Sequence, residues 1–394
     1  MTLCIKSRGS GLQEEVVNKD LVKGFIYSSI VWLLFGAFVG LIASLEFYLP
    51  DIFKGIPWLQ FGRIRQIHVN GAAFAWWGTA TFGLIYYVVP KLCARPLINE
   101  NIAKVHLYLW NFTMLLTVVT LALGYNQGIE VGEAVWQIDV LVVISFLLLA
   151  YNVFGTVFKR KEPHLYVSLW YIMGSIIWSP LNYIIGNFIG VYLVSGVNSA
   201  DIHGFYLHNT VGVLITPMGV ATAYYFLPAA TKNPLYSHKL SIIGFWTIAF
   251  FYPFTGAHHY LFSPIQTWVQ TVAIVTSMML IIPVWTVVTN FYGTMRGKWH
   301  LFPQDFTVKF LIIGNVFYVI TCLQGPTQAL RSIQPVIHFT DWVVGHAHLA
   351  IFGVFTMWLM GIVYYIMPKL TGRELYSRTL GHWHFYMGCT ERAV

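Results

Sequence analysis

Long apolar runs alternate with short polar ones along almost the whole chain. A run of about 17 to 25 apolar residues can cross a bilayer as a helix. Ten such runs are present, over about 22–48, 67–90, 103–125, 137–157, 165–190, 204–228, 240–258, 267–292, 308–325 and 341–367. An eleventh begins near residue 379. There is no internal repeat and no linker long enough for a second domain. The pattern therefore predicts an all-α, polytopic transmembrane helical bundle of ten spans and a truncated eleventh. A polar cytoplasmic N-terminal tail is expected over 1–21 and one membrane domain over 22–394. The first apolar run is long enough to span, so no cleaved signal peptide is expected.

Composition narrows the picture. The chain is 57% hydrophobic and 10% charged, with a mean hydropathy of +0.64. Soluble proteins carry about a quarter charged residues, so a water-solvated surface of ordinary size cannot be built. That excludes a soluble enzyme, a disordered chain and a nucleic-acid module, although the net charge is +8. The basic residues instead report topology, because Lys and Arg concentrate on the cytoplasmic side of a membrane. Eighteen of them lie in the tail and in the loops after even-numbered spans, against four in the opposite loops. A multi-pass protein with a cytoplasmic N-terminus is expected, with the lipid bilayer as a partner and no nucleic acid. The cysteines carry no CxxC or CxxCH spacing, so neither a zinc ribbon nor a covalently attached c-type haem is expected.

Ionisable residues inside a membrane are functional candidates, and six histidines fall at one depth. His68 lies near the outer end of span two, His208 about one turn into span six, His258 and His259 at the outer end of span seven, and His346 and His348 in the first turns of span ten. Imidazole is the commonest metal and haem-iron ligand near neutral pH. His346 and His348 are two residues apart, about 200° around a helix, so they can serve two irons on opposite faces. His68 would complete a six-coordinate iron with one of them, and the other would hold an iron with an open site. His208, His258 and His259 form a three-nitrogen set suited to copper or zinc. The remaining histidines read as snorkelling residues at span ends, with His203 and His338 in outer loops.

Tyr252 lies seven residues before His259, two helical turns deeper on the same face. A phenol below a metal centre can donate a proton together with an electron. None of the 15 acidic residues is mid-membrane, so protons from the cytoplasm would travel by hydroxyls and water. Tyr224, Ser241, Tyr252 and Thr294 are available for that path.

The stretches GRIRQIH (62–68), KRKEPHLYV (159–167), HNTVG (208–212), FFYPFTGAHH (250–259) and HFTDWVVGHAH (338–348) resemble the catalytic subunit of cbb3-type cytochrome c oxidases, the C branch of the haem-copper oxidases. The resemblance runs from about 22 to about 386. It implies a subunit I-like fold in a bacterial cytoplasmic (inner) membrane. It implies that His68 and His348 ligate a low-spin haem b, that His346 ligates a high-spin haem b3, and that His208, His258 and His259 bind the facing copper (CuB). Tyr252 matches the tyrosine that the family cross-links to a copper-ligand histidine, here His208. Arg65 and His338 match positions near haem propionates. The family reduces dioxygen to water with electrons from membrane-anchored c-type cytochrome subunits, and it pumps protons.

Two departures stand out. Where the family usually has a glutamate in span nine, LQGPT carries Gln324, which cannot hold charge in the same way. The family also has twelve spans. The nearest rival is a nitric oxide reductase, which uses iron beside the haem and glutamates near it. NTVGVLITPMG after His208 holds no carboxylate, which favours copper and dioxygen. A non-catalytic di-haem electron carrier is less compatible with the HH pair, and a transporter is expected to show repeats.

Overall fold

The computed structural model describes residues 16–390, which contain no strand. Among the described residues, ten helices are long and apolar enough to cross a membrane: α1 Lys19–Tyr48, α2 Phe61–Cys93, α3 Glu100–Leu123, α4 Trp136–Phe158, α5 Val167–Leu193, α6 Val197–Thr231, α7 His238–Tyr260, α8 Thr267–Thr294, α9 Phe306–Gln328 and α10 Asp341–Thr371. A shorter helix, α11 (Arg378–Thr390), follows. Each expected span has its helix. The largest difference is at α6, where the polar segment from Val197 is already helical, so His203 sits in a helix and not in a loop. Residues 1–15 of the expected N-terminal tail lie outside the described residues, as do 391–394.

Local chemistry sets the helix ends. Asn18, Asn99, Ser237, Asp305 and Thr340 each accept a hydrogen bond from a backbone N–H of the first turn, satisfying donors that have no intrahelical partner. Gly124 and Gly372 close α3 and α10 in the left-handed conformation, which glycine adopts without steric penalty. Four π-helical stretches interrupt the α geometry, at Gly71–Gly78, Ile185–Leu193, Thr210–Ile215 and Leu349–Thr356.

The chain packs as two compact units. Of the described residues, the first takes in 16–164 together with 173–214, that is α1 to α4, most of α5 and the start of α6. In it α1 lies along α2, and α2 lies along α3 and α4. Phe82, Trp110 and Phe146 meet edge to face with ring centres 4.9–6.2 Å apart. Trp110 donates from Nε1 to Thr79 Oγ1 at 3.0 Å, so the polar end of the largest side chain is satisfied inside the membrane.

The second unit takes in 165–172 and 215–390 of the described residues. There α9 packs along α10 and also against α8 and the second half of α6. Close approach rests on small residues, as expected where lipid supplies no hydrophobic drive between helices. A Cβ at Gly361 would meet Phe310 Cβ at 2.8 Å, and one at Gly314 would meet Trp358 at 2.5 Å. Trp358 donates to Leu311 O at 3.1 Å and stacks on Phe291 at 5.2 Å.

Candidate functional site

Three of the four π-helical stretches begin within three residues of a candidate ligand: Gly71 after His68, Thr210 after His208 and Leu349 after His348. Such wide turns re-aim side chains and recur at functional sites. Nothing in the period of the apolar residues signals them.

His68 occupies the last turn of the α-helical part of α2. Its Nδ1 lies 2.9 Å from Gly36 O of α1. A carbonyl only accepts, so Nδ1 carries the proton and Nε2 the lone pair. Gly40, one turn further along α1, makes room for the ring: a Cβ there would fall 2.6 Å from His68 Cε1. Arg65, one turn before His68, forms an ion pair with Glu130. His208 is half-buried near the end of the α-helical part of α6, flanked by the buried Tyr206 and Asn209.

His258 and His259 stand where α7 changes winding. The α geometry stops at Phe251, and two 3₁₀ turns follow, Tyr252–Phe254 with Pro253 and Gly256–Tyr260. This corrects the expectation for Tyr252, whose relation to His259 is not that of two turns on one α-helical face. The tighter winding leaves the two imidazoles side by side, with ring centres 4.5 Å apart and planes inclined at 54°. Ser277 of α8 lies 2.7 Å from His258 Nδ1 and donates its own hydroxyl to Ala273 O at 2.6 Å. Ser277 therefore accepts from Nδ1–H, and the lone pair is again on Nε2.

His346 and His348 follow the same rule in α10. His346 Nδ1 is 3.1 Å from Gln324 Oε1 of α9, and His348 Nδ1 is 2.9 Å from Val344 O in its own helix. Four candidate ligands thus have Nδ1 against an acceptor, which fixes the tautomer that coordinates through Nε2. His338, outside the spans, stacks on Phe339 at 3.9 Å. Burial pulls its imidazole below the ordinary value, so at neutral pH it is an uncharged donor and acceptor.

Of the proposed proton path, Tyr224 and Ser241 are joined by Asn290 of α8, whose Nδ2 donates to Tyr224 Oη at 3.2 Å and to Ser241 Oγ at 3.0 Å. Thr294, one turn beyond Asn290, accepts from Tyr236 N at 3.1 Å. Asn290, Ser277 and Gly40 did not emerge from the sequence. Asn290 and Thr294 at i and i+4 in an apolar span were a usable signal, whereas Ser277 and Gly40 were not separable from packing residues.

Comparison with known proteins bears on the family and the fold. Residues 20–390 match the family described as Cytochrome C and Quinol oxidase polypeptide I. The chain is 31% identical over 375 residues to the Cbb3-type cytochrome c oxidase subunit CcoN1 of Stutzerimonas stutzeri, covering 93% of this chain and 79% of that protein. It is 32% identical to a cytochrome c oxidase subunit 1 homologue of Agrobacterium tumefaciens, covering 93% and 70%. A chain of a haem-copper terminal oxidase dimer solved by cryo-electron microscopy has the same fold, with a TM-score of 0.78 over 93% of this chain and 71% of that one, at 18% identity.

Proposed function

Because the chain belongs to the Cytochrome C and Quinol oxidase polypeptide I family, a family of multi-pass haem-copper oxidoreductases, we propose that it is the catalytic subunit of a cbb3-like respiratory oxidase. On this reading it reduces dioxygen to water, takes electrons from membrane-anchored c-type cytochromes and couples the reaction to proton translocation. Haem and copper, when bound, would supply dioxygen binding and the passage of electrons.

The observation that carries the reading is the common state of the histidines. His68, His258, His346 and His348 each keep Nδ1 on an acceptor, so each offers the neutral Nε2 lone pair that iron or copper requires. His68 and His348 would hold a low-spin haem b, and His346 a high-spin haem b3. His208, His258 and His259 would hold copper. An all-imidazole donor set without thiolate or carboxylate fits that metal. The room that Gly40 leaves around the His68 ring fits a ligand whose orientation must not drift. Arg65 and His338 would meet haem propionates.

The residues of this chain have three further tasks. Ser277 and Gln324 hold imidazole rings in one orientation, so neither ligand has to reorganise during turnover. Gln324 offers a neutral amide oxygen to His346, which gives the imidazole less electron density than a carboxylate would. Tyr252 would hold the proton nearest the metals, and Tyr224, Asn290 and Ser241, with Thr294 beyond, would pass protons toward it by hydroxyl and water.

Metal analysis of the purified protein with a carbon monoxide difference spectrum tests this. Two haems, one copper and carbon monoxide binding are expected. His258→Ala should lose copper and turnover while the low-spin haem spectrum stays. Iron without copper would assign nitric oxide reduction, and absence of carbon monoxide binding would remove both activities.

A further inference from the structure

Away from the histidine centres, the second unit carries a cluster of cationic donors with no carboxylate partner among the described residues. Lys309, in the first turn of α9, is only 4% exposed. Its ammonium lies over Phe306, Phe385 and Tyr386 at 5.9, 5.4 and 5.7 Å from the ring centres. It also lies 3.0 Å from His382 Nδ1 of α11. An ammonium only donates, so His382 accepts at Nδ1 and its remaining proton sits on Nε2 as a further donor. Arg378, at the start of α11, lies over the same Phe306 ring at 5.6 Å and donates from Nη2 to Gln304 O at 2.8 Å. Two fixed cations and an imidazole N–H therefore surround one phenyl ring.

Among the described residues no carboxylate pairs with either cation. The acids nearest in sequence are Asp305, which accepts from Val308 N as the cap of α9 at 3.0 Å, and Glu374, four residues before Arg378, which forms no ion pair among the described residues. Burying an ammonium is costly unless an anion or several strong acceptors compensate it. The aromatic faces compensate part of that cost. They cannot serve the guanidinium fork or the imidazole N–H, both of which suit oxygen atoms of a single anion.

We propose that Lys309, Arg378 and His382 form a binding site for the phosphate of an anionic phospholipid. Basic pockets between membrane helices recognise such headgroups. Tyr376, Trp383 and Tyr386 are 98%, 62% and 57% exposed beside the site, the amphipathic ring types that settle at the headgroup level and leave acyl chains an apolar flank. The site is independent of the metal centres and of the oxidase reading.

The test uses the purified full chain, stripped of lipid in neutral detergent and titrated with phosphatidylglycerol under native mass spectrometry. One tightly held phosphatidylglycerol per chain is expected, with phosphatidylcholine bound more weakly. Arg378→Gln, at an exposed position, should weaken binding about tenfold, the effect of one lost charge-assisted hydrogen bond. Lys309→Gln with Arg378→Gln should abolish it, and Lys309→Arg should retain it. Equal retention by the wild type and the double variant would overturn the site, as would phosphatidylcholine binding as tightly. Displacement of phosphatidylglycerol by an equal concentration of inorganic phosphate would overturn the lipid assignment in favour of free phosphate.

Discussion

An imidazole has two nitrogens, and the partner of one decides what the other can do. In this chain the partners are a backbone carbonyl (Gly36 O), a serine hydroxyl (Ser277), an amide (Gln324) and an i−4 carbonyl (Val344 O). The histidines themselves were legible in the sequence, because ionisable groups at one membrane depth are conspicuous. Their partners were not, since a serine or glycine in an apolar span is ordinary. The same scale holds a pH effect. Glu133, between α3 and α4, is 2% exposed and takes one hydrogen bond from Asn70 Nδ2 at 2.8 Å. Burial raises its carboxyl above the ordinary 4.5. A raised carboxyl contributes stability that is fully present below 4.5 and is lost as pH rises through the folded value. Glu133→Gln should therefore remove that loss. Melting temperatures of variant and wild type should diverge above pH 4.5 in favour of the variant, and parallel curves would contradict the assignment.

Among the elements, existence and order follow from the apolar pattern, while internal winding does not. Apolar runs mark where α2, α6 and α10 cross, yet their π-helical stretches arise from how each helix accommodates its neighbours. The 3₁₀ turns that end α7 were half-visible, because Pro253 and Gly256 punctuate the run. Helix spacing misjudged Tyr252 because it assumed α geometry through those turns. Packing of α1 on α2 provides a test. A Cβ at Gly40 would press on His68 at 2.6 and 2.7 Å, and overpacking of this kind costs about 1–3 kcal/mol. Gly40→Ala should lower the melting temperature and perturb the low-spin haem spectrum, while copper content stays. An unaltered spectrum would mean that His68 does not ligate that haem.

For the whole molecule, the asymmetry of basic residues predicts orientation. With a cysteine at Lys54, an impermeant maleimide should label intact cells. With one at Arg296, labelling should require permeabilisation, and the reverse pattern would invert the topology. The sequence by itself determined the number of helices, the membrane class and the family, and it singled out six histidines as candidates, because those depend on residue type and spacing along one dimension. Tertiary structure alone decided which acceptor faces Nδ1 of His68, His258, His346 and His348, that Asn290 links Tyr224 to Ser241, and that Lys309 and Arg378 meet over one ring. Those depend on which faces of distant helices meet, and small, apolar and lone polar residues look alike in sequence until they do.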